Sequence, residues 1–540
     1  MYQSGVLAIL HSYREQIYPD PVKDIIAQDM KNIIPFINSR LDSINYYHCL
    51  VVNDYLDILD ELGLAYDVAL RDKFTNEAYR ISKMLFIDRL ERRKLKEHQK
   101  LRREKIIEYF DGFNYKDYEN FFKLCLEIKE TLDFDNSGYQ LRAGIAEVFE
   151  VIAEKDRGLY LEVLEHYLNL GNPFDLNPLS LTGNLLKICG AQYTYDVFSK
   201  LKYPGRRTLL FSYYQSLPPS EITNANLNRL YDLYRKAEFG EIPRDFDFLL
   251  KYRSLEEDVV INVVEIILGK VSDDPSYAYP LSMLFNPYSD VNKVIIDIFT
   301  DCIDPLERAF FAAQKIEQHL DHDGVSFARI LEKDPNFILK YVDIVCEGKE
   351  WPNRYDDTRD YSFIWLRDDS EELMVRVIGR IYEAERKHGA SIAIDLKTFF
   401  ILREEKISEG IKIRQNDLLN TLIESRCNEP DFMKFIFGLI SFFSPKKRLQ
   451  FVAVFLECNK NFDIFQKLPL EPNHLGWSGS AVPMHQKRME YLNSLLSLLN
   501  TVDFLQHKQY IERLIQGLQV QIEHEKKRDF IGDRIPKNIL

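Results

Sequence analysis

Two stretches, VFEVIAEKDRGLYLEVLEHYLNLG (148–171) and SFARILEKDPNFILKYVDIVCEGK (326–349), superimpose without a gap. Each carries a phenylalanine, four further residues, then Glu-Lys-Asp and a second apolar-periodic segment. Phe149 falls on Phe327, Ile152 on Ile330, Glu154-Lys155-Asp156 on Glu332-Lys333-Asp334, and Leu161 on Leu339. Apolar residues recur at three- and four-residue steps on both sides of the charged triplet, the period of a helix with one buried face. The unit is therefore helix, short charged turn, helix. Neither helix can bury its stripe alone, so such hairpins are expected to stack on neighbours. A fainter copy lies in FLLKYRSLEEDVVINVVEIILGK, where Val263–Ile267 echoes Tyr341–Val345. The copies are unevenly spaced, which predicts an irregular α-solenoid of stacked helical hairpins, an all-α fold.

The rest of the chain agrees with that reading. Asp20-Pro21 opens a helix in which Ile25, Ile26, Met30, Ile33, Ile34 and Ile37 keep helical spacing. Period-2 alternation flanked by turn residues is almost absent, so no sheet is expected. At 540 residues the chain exceeds one ordinary core. Only 22 Gly and 21 Pro argue against a β-rich or disordered composition. Proline- and glycine-bearing stretches at 169–180, 216–223, 273–280 and 349–360 are too short for flexible linkers. They divide one body into an N-terminal helical region (1–140), helical-hairpin repeats (141–350) and C-terminal repeats with a closing helix pair (351–540).

The net charge of −14 disfavours general attraction to nucleic acid or anionic lipid. Seven widely spaced cysteines without a C-x-x-C speak against a disulfide framework or metal cluster, and a reducing cytoplasm is expected. The opening residues lack a basic n-region and a cleavage site. The most apolar segment, Phe432–Glu457, is broken by Lys434 and by Pro445-Lys446-Lys447-Arg448. It reads as two buried helices joined at Ser444-Pro445, with no membrane span.

Candidate chemistry is sparse. Gly476-Trp477-Ser478-Gly479 resembles a nucleophile elbow only superficially, since the second glycine arrives one residue early and no strand precedes it. Ser480 serves better as a helix N-cap, followed by Pro483 in the first turn. No phosphate-binding G-x-x-x-x-G-K-[ST] occurs. His319, Asp321, His322 and Asp323 are close enough to consider a metal. They also follow a helix read as Pro305–Gln318, with Gly324 as its stop, which accounts for them without one. Acidic pairs such as Asp356-Asp357 and Asp368-Asp369 carry little information among 84 acidic residues. No catalytic, cofactor or metal residue is assigned, and no enzyme activity is expected.

Two stretches suggest recognition instead. Between Arg89 and Lys105, nine basic residues, Arg92, Arg93, Arg102 and Arg103 among them, face three glutamates. A helix polar nearly all round is expected to be solvated, bridging or protruding, and an acidic partner or phosphate backbone is the other reading. From 351 to 372, Trp351, Tyr355, Tyr361 and Trp365 are interleaved with Arg354 and Arg359. These residue types dominate protein–protein hot spots. Packing of the same aromatics between helical layers is the competing account.

The C-terminal stretch 476–530, with W-S-G-S-x-V-P (477–483), Q-K-R (486–488), two long helices and a final EKKRDF, resembles the end of the helical region of bacterial STAND-type NTPases of antiviral defence. LEKDPNFILKYV (331–342) and DYSFIWLRDD (360–369) are similar to that region too. The resemblance implies a non-catalytic sensor that recognises a phage protein and thereby triggers an upstream ATPase and effector. The chain departs from the full family plan in having no Walker A and no recognisable ATPase core. It would be the sensor alone, an excised C-terminal part or a stand-alone relative. A helical-repeat scaffold or adaptor for a host protein is the alternative, with nucleic-acid binding an outsider resting on the basic helix.

Overall fold

The computed structural model describes residues 20–61, 63, 65–86, 95–132, 137–203, 205–317, 320–321, 323–347, 359–389, 396–402, 407–471 and 480–532. Among them every regular element is a helix, so the all-α expectation holds. None of these helices is long and apolar enough to cross a membrane. The chain forms two compact units, Met1–Pro243 and Arg244–Leu540. The boundary at Pro243 divides the region read from sequence as 141–350.

Both duplicated hairpins are present, one in each unit. In the first, helix Ser137–Lys155 runs into Arg157–Asn169, and the Asp156 carboxylate caps the second helix by accepting from Leu159 N at 3.1 Å. In the second, helices Val325–Lys333 and Phe337–Glu347 flank Asp334, which accepts from Asn336 N at 2.9 Å. The aspartate of the Glu-Lys-Asp triplet thus organises each turn by satisfying a backbone N–H.

The equivalence extends to what is buried. On the second helices, five positions coincide: Tyr160 with Ile338, Val163 with Tyr341, Leu164 with Val342, Tyr167 with Val345, and Leu168 with Cys346. On the first helices Val148, Phe149 and Ile152 are buried where Ser326, Phe327 and Ile330 are. The faint third copy keeps the register, with Val260, Val263, Val264, Ile267 and Leu268 of helix Val259–Val271 buried. Its preceding segment is a 3-10 helix, Asp247–Tyr252, so the copy is a shortened hairpin. The likeness is not complete: Leu161, Leu159 and Ala153 are half-buried where Leu339, Phe337 and Leu331 are buried, and Val151 is buried where Arg329 is half-buried.

Phenylalanine anchors each hairpin. Phe149 meets Tyr160 and Tyr167 edge-on with ring centroids 6.3 and 5.1 Å apart. Phe327 meets Phe337 at 4.8 Å and Tyr341 at 5.2 Å. Within each unit, helices touch neighbours up to three places along the chain, as Glu77–Leu85 does with Leu95–Tyr109, Tyr115–Thr131 and Ser137–Lys155, and Phe337–Glu347 does with Ser370–His388.

Local expectations fare unevenly. The apolar 432–457 segment is two helices, Pro430–Ile440 and Pro445–Cys458, divided at Ser444 as read. Helix Asp20–Arg40 is present, yet its Ile25 is 63% exposed, so the stripe is not buried along its whole length. Gly324 does not stop the preceding helix, which is Asp304–Ile316. It is the N-cap of Val325–Lys333, at φ +71°, and a Cβ there would lie 2.8 Å from Asp360 O. Ser480 lies one residue before the N-cap Ala481 of helix Val482–Leu496, and its hydroxyl accepts from Val482 N at 3.2 Å.

Candidate interaction surface

Of the aromatic–arginine stretch, Trp351, Arg354 and Tyr355 lie outside the described residues. Arg359, Tyr361 and Trp365 are brought together, but in the interior: they are 5%, 0% and 1% exposed. The surface role expected for these three is therefore replaced by packing. Arg359 is a buried knot. Its guanidinium donates to Tyr361 Oη at 3.0 Å, Gln314 Oε1 at 2.5 Å, Leu320 O at 3.1 Å and Asp321 O at 3.3 Å. The rings of Phe310, Phe327, Tyr341 and Tyr361 surround it at 5.1–5.8 Å. A buried cation is tolerable only with such saturation of its N–H groups and with ring faces to hold its charge. Next to it, Trp365 Nε1 donates to Phe399 O at 2.7 Å, and Tyr361 packs on Phe399 at 4.5 Å. The knot thus fixes helix Ser362–Trp365 between the hairpin at 325–347 and the turn Leu396–Phe399.

The metal candidate is similarly absorbed. Asp321 Oδ1 accepts from Ser326 N at 2.9 Å and Oδ2 from Phe327 N at 2.7 Å, capping helix Val325–Lys333. Burial pushes this carboxyl above its ordinary range, while the two N–H donors and the Arg359 charge draw it back. His319 and His322 lie outside the described residues. No group of three metal-ligating side chains gathers among the described residues.

The basic helix, Leu95–Tyr109 where described, is docked along one face and does not protrude there. Ile106 is fully buried, and the Arg102 and Glu147 side chains form an ion pair in which each is 11% exposed. Arg103 reaches Glu154 at 2.6 Å and Glu150 at 3.5 Å. Glu147, Glu150 and Glu154 line one face of helix Ser137–Lys155 and compensate the two arginines. Arg92 and Arg93 lie outside the described residues. Replacing Arg102 by Ala should lower unfolding free energy by about 3 kcal/mol, because Glu147 keeps a largely desolvated charge without its partner. Urea unfolding checks this, and the double change R102L/E147L should recover most of the loss.

Sequence reading missed one charged cluster. Lys340 Nζ lies 2.6 Å from Glu307 Oε2 and 2.8 Å from Asp334 Oδ2, with Glu307 2% exposed. Burial raises the Glu307 carboxyl, and Lys340 only partly offsets it. Burial also opposes the Asp334 charge, but Lys340 and Asn336 N–H outweigh it and hold that carboxyl below its ordinary value. A raised acid binds protons more readily when folded, so the Glu307 contribution is present below pH 4.5 and is lost as pH rises through its folded value. Asp334 acts oppositely: its contribution is present above pH 3.8 and is lost as pH falls. Glu307→Gln should flatten the decline of stability above pH 4.5, read from thermal unfolding at a series of pH values. The only sequence signal was Asp334 itself, at the duplicated turn.

Three apolar side chains are exposed on the residues that follow the knot in the chain. Leu366 is 69% exposed, Ile413 57% and Val375 44%. Arg414, beside Ile413, donates to Trp365 O at 3.2 Å and Arg367 O at 2.6 Å, which ties the segment carrying Leu366 to helix Glu409–Arg426. No family model, curated protein or solved structure matches the chain.

Proposed function

We propose that this chain is a non-catalytic protein-binding module built as an irregular α-solenoid. In this reading it is the cytoplasmic sensor of a bacterial STAND-type antiviral system, and engagement of a phage protein triggers an upstream ATPase and effector. The observation that supports a binding module is the shared burial register of the hairpins. The same face of each unit is consumed by packing, which leaves the opposite faces to vary. The antiviral assignment rests on the resemblance of the 331–342, 360–369 and 476–530 stretches.

We assign the contact surface to exposed apolar residues that follow the Arg359 knot in the chain, Leu366, Val375 and Ile413. Affinity capture with the folded chain from phage-infected and uninfected lysates tests the proposal. A stoichiometric phage protein is expected from infected cells alone, and its capture should fall at least tenfold with L366D/I413D at unchanged melting temperature. A stoichiometric host protein recovered equally from both lysates would support the adaptor reading instead, and no partner in either would contradict both.

A further inference from the structure

Cys427 caps the C-terminal end of helix Glu409–Arg426, and Cys458 is the last residue of Pro445–Cys458, which packs beside it. The two ends are tied together. Asn459 Nδ2 donates to Cys427 O at 2.7 Å, and Cys427 Sγ to Cys458 O at 3.6 Å. The Cys458 thiol donates back along its own helix, to Val454 O at 3.2 Å and Phe455 O at 3.3 Å. Cys458 is an exposed residue with a partly buried thiol, and Cys427 is buried beside it, so Cys458 is the one that solution reaches first. An exposed cysteine with a second thiol held against its own backbone is an arrangement in which a mixed disulfide can be resolved internally.

We propose that Cys427 and Cys458 are a reversible redox pair, in which Cys458 takes up a small-molecule disulfide of the glutathione type and Cys427 resolves it. Cys458 loses its proton to solvent, and its thiolate attacks one sulfur of oxidised glutathione. The reagent's S–S bond breaks, and one glutathione leaves as thiolate and is protonated. Cys427 in turn gives its proton to solvent, its thiolate attacks Cys458 Sγ, the mixed disulfide breaks, and the second glutathione leaves as thiolate and is protonated. Two protein thiols are oxidised to one disulfide while one glutathione disulfide is reduced to two thiols. The product clamps the ends of two adjacent helices in place of the present hydrogen bonds.

Burial, reinforced by the Cys427 side chain, pushes the Cys458 thiol up to about 12. The thiolate is therefore scarce at neutral pH. Its fraction, and with it the rate of the first step, rises about tenfold per pH unit below that value. The pair is a slow responder to a sustained shift in redox poise.

The test uses the full reduced chain, incubated with oxidised glutathione at pH 7 and pH 8, acid-quenched, alkylated and mapped by mass spectrometry. Expected are linked peptides containing Cys427 and Cys458, formed about tenfold faster at the higher pH and reversed by dithiothreitol. Cys427→Ser should accumulate glutathione on Cys458, and Cys458→Ser should abolish the linkage. Exposed Cys302 serves as reference and should stop at the mixed disulfide. The proposal is overturned if Cys458 in the folded wild-type chain also stops at the mixed disulfide, if it stays freely alkylatable, or if its linkage to Cys427 forms no faster than pairings with Cys302.

Discussion

Replacing Arg359 by Leu should destabilise the Arg244–Leu540 unit by about 3–5 kcal/mol, the largest single effect expected from any charged residue here. The leucine is small enough to enter the site, so the loss comes from what it leaves behind. Gln314 Oε1, Leu320 O and Tyr361 Oη each lose a donor in the interior, and Asp321 O loses one at a half-buried position. Unsatisfied buried acceptors cost about 1–3 kcal/mol each, and partial relaxation keeps the sum below simple addition. Arg359→Lys should recover only a minor part, because an ammonium cannot reach four divergent acceptors or stack on four rings. Chemical denaturation followed by circular dichroism measures both, and a change under 1 kcal/mol for the leucine variant would show that the knot carries no stability.

The second large effect belongs to the duplicated phenylalanines. Phe149→Ala and Phe327→Ala should each cost about 3–5 kcal/mol, from lost transfer energy and a cavity among rings that cannot close over it. Phe149 is 1% exposed and Phe327 0%, and each contacts aromatic residues of its own second helix. The two losses should match to within about 1 kcal/mol if the hairpins are equivalent, while Leu161→Ala, at a half-buried position, should cost markedly less. Losses that differ several-fold between the two phenylalanines would mean that only one hairpin is built around its ring.

These two cases also show where sequence reading succeeds and where it stops. Phe149 and Phe327 were legible because a helix hairpin is local. Spacing of three and four residues states which face is buried, and the Glu-Lys-Asp triplet marks the turn. The break at Ser444-Pro445 was legible for the same reason. Arg359 was not, since its acceptors Gln314 and Leu320 are 45 and 39 residues away, and composition cannot distinguish an arginine among aromatics on a surface from one enclosed by them. Arg102 was misjudged similarly: a charge count over one helix is blind to the acidic face of another helix 45 residues later. The Cys427–Cys458 contact, across 31 residues, was hidden by the same non-locality.

The claim on which the account rests is that hairpins far apart in the chain bury one and the same face. Hydroxyl-radical footprinting of the native chain, read residue by residue, tests it most directly. Protection is predicted at Tyr160, Val163, Leu164, Tyr167 and Leu168 and at their counterparts Ile338, Tyr341, Val342, Val345 and Cys346, with Leu161 more reactive than any of the first five. Protection of one set together with ready modification of the other would contradict the repeat, and with it the binding module proposed on it.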